Sequence, residues 1–243
     1  MIQNVKENLR KVRCYHSATL LESVITYAQQ NDLSYLAFLE YLLKQECLYR
    51  NQTAINRNTK ACGFPQIKTF DEFDFNYQHD INKKLIAEWK TFDWIDQRCN
   101  KIFMGPPGVG KTHISIALSY EALKVGYKVI FFTMNNLMDE MLLADYNNEF
   151  KKWLKRIAKF DLVVIDEIGY LPIKTENANL FFQLINELYE FRSVILTSNK
   201  LFQEWGSAFG DSVITSAIID RIIHHSETII IGDSFRMKGK IKK

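Results

Sequence analysis

Gly105-Pro106-Pro107-Gly108-Val109-Gly110-Lys111-Thr112 fits the pattern G-x-x-x-x-G-K-[ST] without a mismatch. The octet follows an apolar run at 102–104 and opens a helix predicted over 113–124, the strand, loop and helix order that a phosphate-binding loop requires. Such a loop wraps its backbone N–H groups around phosphate oxygens, and the first turn of the helix adds partial positive charge. Gly108 and Gly110 allow close backbone approach and positive φ. Lys111 is the point charge for the β and γ phosphates, and Thr112 brings a hydroxyl to Mg²⁺.

Leu162-Val163-Val164-Ile165-Asp166-Glu167 is the matching second element: four apolar residues make a strand, and two carboxylates stand at its carboxyl end. Asp166 is the candidate for Mg²⁺, directly or through water, and Glu167 the candidate general base for an attacking water. In Ser193-Val194-Ile195-Leu196-Thr197-Ser198-Asn199 the last residue follows a strand and can reach the γ-phosphate or that water. The spacing of Lys111, Asp166 and Asn199 is that of a P-loop ATPase with an extra strand between its two phosphate-site strands.

The runs at 102–104, 129–132, 162–165, 194–196 and 228–231 are β-branched and almost continuously apolar, as strands covered on both faces of a parallel sheet are. Helical stretches alternate with them, which predicts a doubly wound α/β domain with its ligand beyond the carboxyl ends of the strands. The front of the chain reads differently. Leu20, Leu21, Val24, Ile25 and Ala28 recur at helical spacing; a break follows at Asn31-Asp32-Leu33; Ser34 caps a second helix with the stripe Leu36, Leu39, Leu42, Leu43 and Cys47. Residues 61–65, with Gly63 and Pro65, are the candidate linker, and the domain boundary is placed at 69: a helical domain over 1–69 and an ATPase domain over 70–243.

Across 243 residues, 47% are hydrophobic and 24% charged, which excludes a disordered or collagen-like chain, and ten glycines with four prolines argue against a turn-rich sandwich. The net charge is +3, and the first 68 residues carry nine Lys/Arg against five Asp/Glu. No apolar run approaches the roughly 18 residues of a membrane span, and the start lacks the apolar core of a signal peptide, so a cytoplasmic protein is expected. Cys14, Cys47, Cys62 and Cys99 form no C-x-x-C pair and read as reduced core residues.

Together with Ile165-Asp166-Glu167-Ile168-Gly169-Tyr170-Leu171-Pro172, Thr197-Ser198-Asn199 and Asp220-Arg221-Ile222-Ile223-His224-His225, the phosphate loop closely resembles the IstB-like ATP-binding proteins. These are AAA+ helper ATPases of bacterial insertion sequences, related to DnaC-type helicase loaders. The match is tight over about residues 95–240 and loose at the front, through Leu33-Ser34, Glu46 and the segment 70–75. The resemblance implies a P-loop AAA+ (ASCE) parallel sheet with helices on both faces behind a small helical domain. The helical lid would be absent or truncated, because about twelve residues follow the last strand.

The resemblance also implies ATP and Mg²⁺ as ligands and extends the ATP-binding set from Gly105 to His113. It implies assembly on duplex DNA and action on a transposase, in a homo-oligomeric spiral or ring and with no membrane. Arg221 matches an arginine finger that reaches a neighbouring subunit, and Arg236 a second γ-phosphate sensor. An Arg supplied in trans stabilises charge on the γ-phosphoryl group and ties nucleotide to assembly. Leu188 departs from the family, which usually has Arg before Tyr-Glu.

A long insert over 135–160 predicts two helices, the second carrying Lys151, Lys152, Lys155, Arg156 and Lys159, candidates for DNA phosphate contact. The tail from Arg236 holds five more cations. A helicase loader, which uses the same engine for another client, remains the alternative. A small-molecule kinase is disfavoured by the adjacent Asp166 and Glu167 with Asn199 and Arg221, and a scaffold without turnover by Glu167 and Arg221.

Overall fold

The computed structural model describes residues 1–76, 81, 83–170 and 175–232, without the side chains of Thr175 and Glu176. The positions of Arg236, of the basic tail and of Leu171-Pro172 lie outside the described residues. The chain divides into two units, Met1–Arg57 and Asn58–Lys243.

The first unit is built from α1 (Ile2–Lys11), α2 (Tyr15–Gln30) and most of α3 (Tyr35–Ala61). The predicted break and cap hold: Ser34 Oγ accepts from the Ala37 amide at 3.3 Å. The apolar stripe of α3 does not. Leu42 is buried with Leu21 and Val24, but Leu36 is 75% exposed, and Leu39, Leu43 and Cys47 also face solvent. The residue that α3 buries instead is Glu46, whose carboxylate accepts from the Ser17 amide at 2.7 Å and from Arg50 Nε at 2.9 Å. Three deeply buried side chains contribute only about 1.5–3 kcal/mol each, so this polar clasp is a sizeable share of what joins α2 to α3.

The predicted boundary at 69 and the compact units differ. α3 runs on to Ala61 without a break, and its end is tied to the sheet: the Phe131 amide donates to the Cys62 carbonyl at 2.7 Å. That bond occupies part of the open edge of a terminal strand. Gly63 turns the chain there at φ +87, with no room for a Cβ against the Phe131 carbonyl. Of the four thiols only Cys62 is buried, which pushes its pKa up; the others are partly or fully exposed.

The second unit continues with α4 (Lys83–Trp89), α5 (Asp93–Asp96), β1 (Asn100–Met104), α6 (Lys111–Lys124), β2 (Val129–Thr133), α7 (Met134–Tyr146), α8 (Phe150–Ile157) and β3 (Leu162–Ile168). It closes with α9 (Thr175–Leu188), β4 (Ser193–Ser198), α10 (Trp205–Phe209), α11 (Ser212–His224) and β5 (Ser226–Ile230). The sheet is parallel throughout, in the order β2-β3-β4-β1-β5. β4 therefore lies between the strand that precedes the phosphate loop and the strand that ends in Asp166 and Glu167, as the spacing predicted.

Ile102, Val163, Ile165, Val194 and Leu196 join one core with residues of α7 to α11, Trp205 and Phe181 among them. Their alternates Phe103, Val164 and Ile195 point to the opposite face, against which α6 packs. Helices thus cover both faces. Among the described residues, no helix is long and apolar enough to cross a membrane.

Burial pushes the Glu46 carboxyl up, but the hydrogen bonds from Ser17 and Arg50 outweigh it and hold the group below its usual range. Because the folded value is the lower one, the clasp is at full strength above the unfolded pKa and fades as pH falls through the folded value. Glu46→Ala should destabilise the first unit by roughly 1–3 kcal/mol near neutrality. Thermal melts of parent and variant should converge in acid.

Candidate nucleotide site

The phosphate loop, 105–110, leaves the carboxyl end of β1 and runs directly into α6. Its first residue is fixed against the sheet. The Gly105 amide donates to the Ser198 carbonyl at 3.2 Å, and a Cβ on Gly105 would stand 2.1 Å from the Ile231 carbonyl oxygen. Gly110 has φ +97, and a Cβ there would press on Phe73 at 2.8 Å. Val109 is buried; Pro106 and Pro107 are exposed. Lys111 Nζ donates to the carbonyls of Gly105 at 2.7 Å and Pro106 at 2.9 Å, so the ammonium is already folded back over the loop.

Thr112 and Asp166 meet as the sequence requires. Thr112 Oγ1 lies 3.0 and 2.9 Å from the two carboxylate oxygens of Asp166. Asp166 is only 3% exposed. Burial pushes its pKa up, and hydrogen bonds from the Thr197 and Thr112 hydroxyls hold that rise back. A Thr hydroxyl and one carboxylate are hard oxygen donors, suited to Mg²⁺, which binds through one or two carboxylates with phosphates and water completing its shell.

Glu167 reaches the site through an irregularity. The β3–β4 register shifts between Ile165 and Ile168, and Glu167 has φ +66. Ile165 and Ile168 both belong to the main core. In a regular strand the residue two after Ile165 would share its face and send a carboxylate into that core. Asp166 lies on the α6 face by ordinary alternation after Ile165, and the extra residue of the bulge leaves Glu167 exposed at the rim.

Asn199 follows β4, one residue after the carbonyl that holds Gly105. Its Oδ1 is buried and has no hydrogen-bond partner among the described residues, an orphaned polar atom beside a phosphate loop. A buried amide in this state costs free energy unless a ligand or water completes it.

Beside the loop opens a cavity of about 460 Å³, lined by Lys68, Glu72, Phe73, Asp74 and residues 108–113. Phe73 meets the His113 ring edge-on at 5.3 Å, and His113 Nε2 lies 2.7 Å from the Thr69 carbonyl. Of this wall, residues 108–113 belong to the predicted ATP-binding set, whereas Lys68, Glu72, Phe73 and Asp74 are absent from it. Their signal was the capping box Thr69-Phe70-Asp71-Glu72, in which the Glu72 carboxylate accepts from the Thr69 amide at 3.1 Å.

Arg221 is not brought to this site. It lies in the last turn of α11, next to Ile222, whose carbonyl accepts from Asn100 Nδ2 at the start of β1. The phosphate loop leaves the other end of that strand, roughly 13 Å away at about 3.3 Å per residue. The guanidinium is fixed by Asn186 Oδ1 at 3.0 Å, by the Ala217 carbonyl at 3.1 Å and by the Phe182 ring at 4.7 Å. Among the described residues no carboxylate pairs with it. Leu188, at the position of the family's usual Arg, is buried in the main core.

The insert forms two helices, as predicted, but Lys159 falls beyond the end of α8. Phe150, Trp153, Leu154 and Ile157 face the core, and the cations face out, beside an open cleft of about 1020 Å³. Arg156 pairs with Glu140 and Lys152 with Glu149, each at 2.9 Å. Lys151, Lys155 and Lys159 carry no acidic partner among the described residues.

Comparison with known proteins agrees with this architecture. A crystal structure of DnaI superposes with a TM-score of 0.55 at 17% identity, over 68% of this chain and 90% of that one, a likeness of fold. A protein of insertion sequence IS21 from Pseudomonas aeruginosa, named for ATP binding, is 39% identical over 96% of this chain and 89% of its own length. Its counterpart in insertion sequence IS232 of Bacillus thuringiensis is 38% identical over 99% and 97%. The family model described as IstB-like ATP binding protein matches residues 7–243, and the chain belongs to that family.

Proposed function

We propose that this protein is a Mg²⁺-dependent ATPase that assembles on duplex DNA and acts on the transposase of an insertion sequence. The observation that carries the ATPase reading is the contact of Thr112 with Asp166 at the carboxyl rim of the sheet, next to the exposed Glu167 and beside the loop that holds Lys111. The insertion-sequence relatives support the transposase client. Action on ATP and duplex DNA supports a cytoplasmic location.

Residues 105–113 would hold the triphosphate, with Lys111 exchanging its two loop carbonyls for phosphate oxygens. Thr112 and Asp166 would hold Mg²⁺, which when bound neutralises charge on the phosphates. Glu167, free of the core, takes a proton from the attacking water. Asn199 completes its orphaned amide on the γ-phosphate or that water; its oxygen and nitrogen exchange places on a half turn, so either partner is met. Arg221 stands too far from its own loop to take part there, which favours its service to a neighbouring copy. Arg236 keeps its proposed role as a second phosphate sensor.

Glu167→Gln should bind ATP with parental affinity and lose about 10²–10⁴-fold in turnover, the range for a general base. Parental turnover in a steady-state phosphate-release assay would remove Glu167 from this role.

Mixing Arg221→Ala with Lys111→Ala tests the shared site. The first keeps a nucleotide site and the second a finger, so activity should reappear in the mixture, although each variant alone is inactive. A mixture that co-assembles and stays inactive would place Arg221 in a role within its own subunit.

For DNA, Lys151, Lys155 and Lys159, which carry no acidic partner among the described residues, are the better candidates among the five cations, since Lys152 and Arg156 are engaged. Changing these three to Glu should weaken binding of all duplex sequences alike. The plot of log affinity against log salt should flatten by up to about 3, close to one per lost phosphate contact. An unaltered slope would return α8 to a solvated surface.

A further inference from the structure

Opposite the bulge in β3 stands a single residue of β4, Thr197, which is 1% exposed. Its hydroxyl touches both residues of the acidic pair. Thr197 Oγ1 donates to Asp166 Oδ1 at 2.5 Å and accepts from the Glu167 backbone amide at 2.9 Å. A hydroxyl has one hydrogen and two lone pairs, so these two bonds fix each other's direction: the proton points to the carboxylate, and the lone pair faces the amide. The regular ladder lapses at this point, between Ile165 and Ile168, so the Glu167 amide has its partner in a side chain instead of a strand carbonyl.

We infer that Thr197 is a positioning residue for ATP hydrolysis, one hydroxyl that orients the Asp166 carboxylate and anchors the left-handed backbone from which Glu167 projects. The inference rests on the reading of Asp166 and Glu167 as the hydrolytic pair. Thr197 is buried behind the acidic pair and acts through those two residues. A left-handed φ at a residue other than glycine persists only where its surroundings hold it, and the Thr197 bond is the side-chain bond made to the Glu167 amide. The same atom carries the position of one carboxylate to the other. A shift in Asp166 on binding a cation would therefore be felt at the base.

The test uses the full-length protein and three readouts. Thr197→Val keeps the shape of the side chain and removes the hydroxyl; Thr197→Ser keeps the hydroxyl and removes the methyl. In nucleotide-free protein, hydrogen exchange at the Glu167 amide should quicken about tenfold in Thr197→Val, the equivalent of one ordinary hydrogen bond, and return to the parental rate in Thr197→Ser. In steady state, kcat should fall about 10²-fold in the Val variant, the cost of a displaced catalytic group, with KM for ATP close to parental and rescue in the Ser variant. Affinity for a fluorescent ADP analogue should need more Mg²⁺ in the Val variant and be unchanged in its absence.

Parental exchange and parental kcat in Thr197→Val would overturn the inference, as would a kcat loss that Thr197→Ser does not rescue, since that would report packing around the methyl. If Thr197→Val does not fold, Thr197→Cys, with a weak thiol donor, carries the same test, and a parental kcat there overturns it. Glu167→Gln run alongside separates the two ideas. If it turns over ATP at the parental rate, the hydrolytic pair has been misassigned and the positioning role falls with it. If it is slow while Thr197→Val is not, the pair stands and Thr197 alone is refuted.

Discussion

A carboxylate buried in the rim of a parallel sheet is the constraint on which the site depends. Removing such a group from water costs several kcal/mol before any partner is counted, and Asp166 is left with hardly any exposure. Its partners come from two directions. Thr112 arrives on the first turn of α6, and Thr197 from the end of β4. Neither would be in range without the strand order that sets β4 between β3 and β1. The order of the sheet and the chemistry of the site are thus one requirement: the end of β4 and the residue after it supply the hydroxyl, the carbonyl that pins Gly105 and the Asn199 amide, all within three residues.

The loop and the acidic pair were legible because each is a local pattern. Glycines, a lysine and a hydroxyl at fixed spacing, or carboxylates after an apolar run, need no knowledge of distant residues. All five strands were legible for the same reason, though β1 begins earlier than its apolar run. Asn100 and Lys101 are buried polar residues that no hydrophobic pattern marks. Asn100 bonds Ile222 and Val194, and Lys101 sits 5.3 Å from the Trp89 ring and 5.5 Å from the Trp94 ring, paired with Glu227.

What escaped the sequence has a different physical character. The stripe Leu36, Leu39, Leu43 and Cys47 is helical in spacing, but spacing says nothing about which face finds a partner; Glu46 won that face through hydrogen bonds to Ser17 and Arg50. The end of the first unit was masked because α3 runs on across it, and the Gly63 and Pro65 that mark a loop mark one already tied to β2. The bulge at Glu167 was hidden as well. A Glu in the left-handed region carries no sequence signature; the register shift and the shared burial of Ile165 and Ile168 reveal it only in the fold.

The placement of Arg221 and the phosphate loop at opposite ends of β1 has a geometrical corollary. A contact that joins one copy's Arg221 to the next copy's loop is heterologous, so the assembly it builds has a direction. In an open array the two ends are unlike: one terminal copy has a nucleotide site that no neighbour serves, and the other an arginine with nothing to serve. Bound nucleotide would persist longest at the first of these ends. Such an array would age unevenly along its length, and its two termini would offer a client protein two chemically distinct surfaces.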